Sequence, residues 1–173
     1  ITLSAAAGSG RVISEDIQPA FASAFDHAAL ATSGYLLGLA ERAFEITIDY
    51  LKVRKQFDQS LASFQALQHR AVDMKIQLTL CRASIEGAAA ALDAGADDVA
   101  RAMVVSRAKS RAADTAMLVA REAVQLHGAI GYTDEYDIGL FARKAMVMAH
   151  QYGAAAAHRH RYATLSSDLA AYI

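Results

Sequence analysis

Proline is almost missing from this chain of 173 residues: Pro19 is the only one. Proline removes a helix hydrogen bond and clashes with the preceding turn, so residues 20–173 lack the strongest helix breaker. Cysteine is equally scarce. Cys81 stands alone, which excludes an internal disulfide framework and fits a reducing compartment, so a cytoplasmic location is expected. An excess of one charge is missing too: 17 Lys+Arg stand against 18 Asp+Glu. A nucleic-acid binder normally shows a basic surplus, so nucleic acid is not an expected partner. Every apolar stretch long enough to span a membrane carries charge, so neither a transmembrane helix nor a membrane partner is expected. The first ten residues contain no charged segment of the secretory kind. The chain opens on Ile1 and is expected to be a piece of a longer protein.

Alanine fills the space these residues leave, with 40 of the 173 positions. It is the best helix former. An all-α domain is therefore expected over 19–173: an up-and-down four-helix bundle of long helices. Residues 1–18 read as a short strand and loop, the remnant of a preceding β-domain. The first helix is expected from Pro19, which suits a first turn, to Val53, with Asp16 as a nearby cap. The second runs from Phe64 to Ala94, with Leu67, Ala71, Met74, Leu78, Cys81, Ile85, Ala88 and Leu92 on one face. Gly95 ends it and Asp97 caps the third. Val105, Ala108, Ala112, Thr115, Val119, Ala123 and Leu126 form the stripe of that third helix, which reaches His127. Gly128 to Gly131 interrupts. A fourth helix is expected from Asp134, with a further break near Gly153 before a last segment to Ile173. Alanine faces of this kind let helices approach closely and also suit burial against other subunits.

Helical bundles often bind metal through Glu-x-x-His pairs. None occurs here, and no metal site is expected. The run His158-Arg159-His160-Arg161 has the wrong helical spacing for two ligands on one face and reads as a solvated or interface basic patch. Cys81 lies on an apolar stripe and reads as core packing. The helix breaks carry more information. The first contains Tyr50-Leu-Lys-Val-Arg54-Lys-Gln56-Phe57-Asp58, then Leu61 and Phe64-Gln65. The second is Gln125-Leu-His-Gly128-Ala129-Ile-Gly131. An arginine can grip a phosphate through two parallel hydrogen bonds. A glycine-rich turn lets backbone N–H groups approach a phosphate closely. Either break alone is equally well read as ordinary loop chemistry.

Taken together, the two breaks resemble the C-terminal helical domain of the acyl-CoA dehydrogenases. That family carries a Tyr-x-x-x-Arg-x-x-Phe-Gly-x-x-Leu segment before its second C-terminal helix. A Gln-x-x-Gly-Gly-x-Gly segment follows its third. The resemblance covers about Pro19 to Tyr152, with Asp58 and Ala129 standing where the family usually has glycine. It implies a flavoprotein in which this bundle closes over the FAD of a neighbouring subunit, usually in a dimer of dimers. It further implies that Arg54 meets the FAD pyrophosphate and that Gln56, Phe57, Leu61 and Gln65 contact FAD nearby. Gln125, Gly128 and Ala129 would hold its ADP portion. The implied substrate is an acyl-CoA thioester, and an acceptor like electron-transfer flavoprotein is an implied partner.

Acyl-CoA dehydrogenation needs a carboxylate within hydrogen-bond reach of the proton alpha to the thioester carbonyl. Most of the family uses the Glu of a Tyr-Glu-Gly-Thr segment. The matching stretch here is His150-Gln151-Tyr152-Gly153-Ala154, which puts Tyr152 or Gly153 at the Glu position, and neither is an acid. Other branches place the Glu on the first helix. That register falls on Ala28, leaving Asp26 as a weak candidate base and, on the plainer reading, an exposed first-turn Asp at a helix N-terminus. The catalytic residue therefore stays unassigned. Three readings remain open: an active FAD-dependent dehydrogenase with an atypical base, a non-catalytic subunit that completes a partner's flavin site, and a structural bundle without flavin.

Overall fold

In the computed structural model, residues 16–133 and 135–170 are described. Five α-helices and one tiny hairpin account for nearly all of them: α1 (Gln18–Val53), β1 (Lys55–Gln56), β2 (Gln59–Ser60), α2 (Gln65–Asp93), α3 (Asp98–His127), α4 (Ile138–His150) and α5 (Ala155–Ala170). The all-α bundle expected from sequence is the architecture found. Single 3-10 turns at Leu61–Ser63 and Gly128–Tyr132 carry the chain from the hairpin into α2 and out of α3.

The local signals act where expected. Asp16 accepts a hydrogen bond from the Gln18 N–H at 3.2 Å. Asp97 caps α3 by accepting from the Ala100 N–H at 2.8 Å. Gly95 takes φ +76, and the Ala96 N–H reaches back to the Ala91 carbonyl at 3.1 Å, which closes α2 in a left-handed cap. One expectation shifts. The fourth helix begins at Ile138, not at Asp134, which itself lies outside the described residues. The expected strand and loop over 1–18 and the final residues 171–173 also lie outside them, apart from 16–18.

Helix α3 is the axis of the molecule and packs on α1, α2, α4 and α5. Every member of its expected stripe is buried, and Ala102, Ala113, Ala116 and Ala120 are buried on its other sides. Four neighbours around one helix leave room for little more than a methyl group at most positions. Much of the alanine excess is thus spent inside one chain. On α2 the stripe is shallower: Met74, Leu78, Cys81 and Ala88 are buried, while the remaining members are half-exposed. Cys81 is wholly buried, and burial pushes its thiol up to about 11, so it is an inert core residue.

Candidate functional site

Arg54 ends α1 with extended backbone (φ -70, ψ 123). Its N–H donates to the Tyr50 carbonyl at 2.8 Å, and its carbonyl accepts from the Leu61 N–H at 2.9 Å. The chain then turns through Phe57 (φ 52) and Asp58 (φ 61) at the tip of the two-residue hairpin. Two successive positive φ values are the signature of the tight turn whose twist matches antiparallel strands. Asp tolerates that conformation, so Asp58 replaces a glycine without breaking the turn. Phe57 tolerates it less well; its ring is 82% exposed and meets Phe64 edge to face at 6.2 Å.

The second break lies opposite. Gly128 closes α3 with φ 68 and ψ -143, a combination open to glycine alone among common residues. Ala129 sits inside the following 3-10 turn, where no positive φ is required. Gly131 is needed for space. A Cβ there would lie 2.8 Å from the Val124 carbonyl oxygen and 3.1 Å from the His127 Cβ. Beneath this turn, His127 stacks on Tyr50 with ring centroids 4.3 Å apart, and the Tyr50 hydroxyl donates to the His127 carbonyl at 3.3 Å. Tyr136 closes the cluster, 5.1 Å from His127 and 5.5 Å from Tyr50. The His127 Nδ1–H donates to the Ala123 carbonyl at 2.7 Å, and Nε2 is buried without a partner among the described residues. Burial holds this imidazole below its ordinary pKa, hence neutral.

Between the two breaks lies a cleft of about 580 Å3. Arg54, Gln56, Leu61, Gln125, Gly128 and Ala129 all line it, so six of the eight residues singled out from sequence are brought together. Phe57 and Gln65 are not among its walls; both project from the hairpin and the start of α2 as exposed side chains. Tyr50, Leu67, Arg70, Leu126, His127 and Ile130 complete the lining. The Tyr at the head of the first motif was a signal for Tyr50. Leu126, His127 and Ile130 belong to the second break itself, whereas Leu67 and Arg70 had no such signal, because their place depends on how α2 and α3 meet. Arg70 is tied to Glu122 at 2.6 Å, so its charge is committed. Arg54 has no carboxylate partner among the described residues and is the cleft's uncommitted cation.

The two stretches considered for a base meet each other elsewhere. Tyr152 (φ 55) packs its ring edge to face on Phe25 at 5.9 Å. Asp26 is not the exposed first-turn residue expected. It lies in the third turn of α1 and is 0% exposed. Its two oxygens accept from Arg101 Nε at 3.1 Å and from the Arg161 guanidinium. Gly153 (φ 102) faces His158, whose Nε2 would lie 2.8 Å from any Cβ added there. That ring donates to the Tyr152 carbonyl at 2.8 Å, and its Nδ1 faces the Ser106 hydroxyl at 3.3 Å. Lys109, wholly buried, donates to the carbonyls of Ala149 and Gly153, each at 3.0 Å. The His158–Arg161 run is therefore no simple surface patch: His158 and Arg161 face inward, Arg159 pairs with Asp114 at 2.6 Å, and His160 is exposed. Among the described residues no group of His, Cys, Asp and Glu could hold a metal.

Residues 19–164 match the family model described as acyl-CoA dehydrogenase, C-terminal domain. The probable acyl-CoA dehydrogenase FadE25 of Mycobacterium tuberculosis is 34% identical over 122 residues, covering 70% of this chain and 31% of the relative. Among solved structures, the Tcur3481-Tcur3483 steroid ACAD superposes with TM-score 0.84 at 30% identity, over 89% of this chain and 42% of that one. Butyryl-CoA dehydrogenase from Megasphaera elsdenii gives TM-score 0.78 at 29% identity, over 83% of this chain and 37% of that one. This chain thus spans about a third of the length of such relatives. With its two helix breaks converging on one cleft and its bundle superposing on theirs, it belongs to the acyl-CoA dehydrogenase family, of which it forms the C-terminal helical domain.

Proposed function

We propose that the full polypeptide carrying this domain dehydrogenates the α,β bond of an acyl-CoA thioester with FAD as hydride acceptor. In this reading the domain supplies flavin contacts and an oligomer interface. The observation that carries it is the convergence of two sequence segments, separated by more than sixty residues, on one cleft where Arg54 has no carboxylate partner among the described residues. The residues fit a flavin diphosphate. Arg54 is fixed through its backbone at both ends, and its guanidinium has no carboxylate partner among the described residues. Gly128 has open space where a side chain would stand, which leaves the backbone accessible. Arg54 would hold the pyrophosphate, Gln56 and Leu61 would flank it, and Gln125, Gly128 and Ala129 would line the ADP portion. Phe57 and Gln65, exposed beside the cleft, would meet flavin only as part of a neighbouring subunit's site. Bound FAD supplies the hydride-accepting chemistry; this chain binds and orients it. A dimer of dimers, homomeric or heteromeric, is the expected assembly, with an acceptor like electron-transfer flavoprotein as a further partner.

A second reading is favoured by one specific observation. Neither stretch at which the family keeps its base offers a free carboxylate: Tyr152 and Gly153 are not acids, and both Asp26 oxygens are engaged by guanidinium groups. The domain then belongs to a non-catalytic subunit that completes an active partner's flavin site. Purifying the full polypeptide alone separates the two. Yellow protein that bleaches with acyl-CoA supports an active dehydrogenase. Colourless protein that takes up FAD only with a partner supports the paired subunit. In either assembly, Arg54→Ala is expected to weaken flavin binding roughly 10- to 100-fold, the worth of a charge-assisted contact. Undiminished flavin content would remove the diphosphate role.

A further inference from the structure

A second concave site shares no residue with the cleft between the two helix breaks. A cleft of about 590 Å3 opens between α2, α3 and α5, within the range typical of small-molecule pockets. Leu80 and Ala83 of α2 form its apolar wall. Arg107, Ser110, Arg111 and Asp114 come from α3, and Arg159 reaches across from α5. Asp114 is taken by Arg159 at 2.6 Å, and Ser110 donates its hydroxyl hydrogen to the Arg107 carbonyl at 3.0 Å. That leaves two guanidinium groups without a carboxylate among the described residues. Arg107 and Arg111 are four residues apart, so they project from one face of α3, one turn apart. Like charges at that spacing repel, and the repulsion turns to attraction only when an anion lies between them. A second, independent feature sits on the facing helix. The Ser84 hydroxyl is buried and has no hydrogen-bond partner among the described residues, although it belongs to the lining of this cleft. Among the described residues the first cleft holds one arginine without a carboxylate partner; this one holds two.

We propose that this cleft binds the phosphoryl group of a small anionic molecule, with Arg107 and Arg111 gripping its oxygens, Ser84 donating its hydroxyl, and Leu80 and Ala83 bearing the ligand's apolar part. Guanidinium pairs match phosphoryl oxygens in planar, bidentate geometry, and a hydroxyl supplies the further donor that a tetrahedral anion accepts. The concavity and the convergence of three helices favour a small molecule over a protein carboxylate, which needs no pocket. The inference does not depend on the flavin reading, since no residue is shared between the two clefts.

Pyrophosphate and inorganic phosphate are the probes, titrated by calorimetry into the full polypeptide with FAD present in excess and salt near physiological strength. Saturable binding is expected, weakened at least tenfold by Arg107→Ala with Arg111→Ala and severalfold by Ser84→Ala. Arg54→Ala should leave it unchanged. If the double alanine variant does not fold, Arg107→Lys with Arg111→Lys keeps the charge and removes the bidentate grip, and it too should weaken binding. Four results overturn the proposal: no saturable binding by either probe, binding indifferent to the Arg107 and Arg111 variants, loss of binding in Arg54→Ala, or a change of assembly size in the double variant without any anion binding. The last assigns the arginines to a partner protein's carboxylates instead.

Discussion

Asp26 accepts hydrogen bonds from Arg101 of α3 and Arg161 of α5 while being fully removed from solvent itself. Its partners lie 75 and 135 residues away, so nothing around position 26 announces them. Read locally, an Asp near the start of a helix is a dipole partner or, by resemblance, a displaced base. Read in three dimensions, it is the anion that neutralises two guanidinium groups where α1, α3 and α5 meet. Removing one partner of a buried ion pair leaves the others uncompensated, which costs about 3 kcal/mol or more. Asp26→Ala is therefore expected to lower the melting temperature of the full polypeptide by a few degrees in thermal circular dichroism. Were Asp26 a base, Asp26→Asn would abolish acyl-CoA-dependent bleaching at unchanged melting temperature, and that outcome would sink the structural assignment.

At the scale of elements, the connections decide where chemistry can occur. The 3-10 turn after α3 exists in its observed form because Gly131 lets the backbone pass against the Val124 carbonyl. Gly131→Ala puts a methyl 2.8 Å from a backbone oxygen that no side-chain rotation can move. A loss of about 1 to 3 kcal/mol is expected in urea denaturation, together with weaker flavin retention, because the displaced turn is one wall of the cleft. Unchanged stability would mean the turn yields more readily than its packing indicates. The turn between α4 and α5 is built differently. Tyr152 and Gly153 both hold positive φ, and Lys109 and His158 secure the carbonyls around them. A left-handed Tyr costs about 1 to 2 kcal/mol, so this turn persists because buried donors over-determine it.

Across the whole molecule, burial of neutral imidazoles couples stability to pH. His127 and His158 are both pushed below their ordinary pKa, chiefly by desolvation and, for His158, also by the nearby Lys109 and Arg161 charges. The unfolded chain takes up protons on these histidines as pH falls below about 6.5, while the folded chain resists. Stability from this source is thus fully present above about 6.5 and is lost progressively below it. Urea midpoints are expected to fall between pH 7 and pH 5, less steeply in His158→Gln. An equal pH dependence in that variant would show that His158 does not contribute.

The helices themselves were legible from sequence for a simple reason. The boundaries of α1, α2 and α3 rest on local chemistry: a lone proline, an Asp cap, glycines at left-handed positions and an apolar repeat that every turn restates. The cleft was legible in part, because Arg54, Gln56 and Leu61 lie next to one break and Gln125, Gly128 and Ala129 next to the other. Within the second break the residue that must be glycine for space is Gly131, while Ala129 sits in the 3-10 turn without a positive φ. What sequence alone determined is the all-helical bundle, its breaks and its family. The tertiary structure alone decided that Phe57 and Gln65 stand outside the cleft, that Asp26 belongs to a buried ion cluster, that Lys109 and His158 secure the last turn, and that two arginines between α2, α3 and α5 have no carboxylate partner among the described residues. Each of these depends on which helix faces end up in contact, and such contacts join residues tens of positions apart through packing that no local pattern encodes.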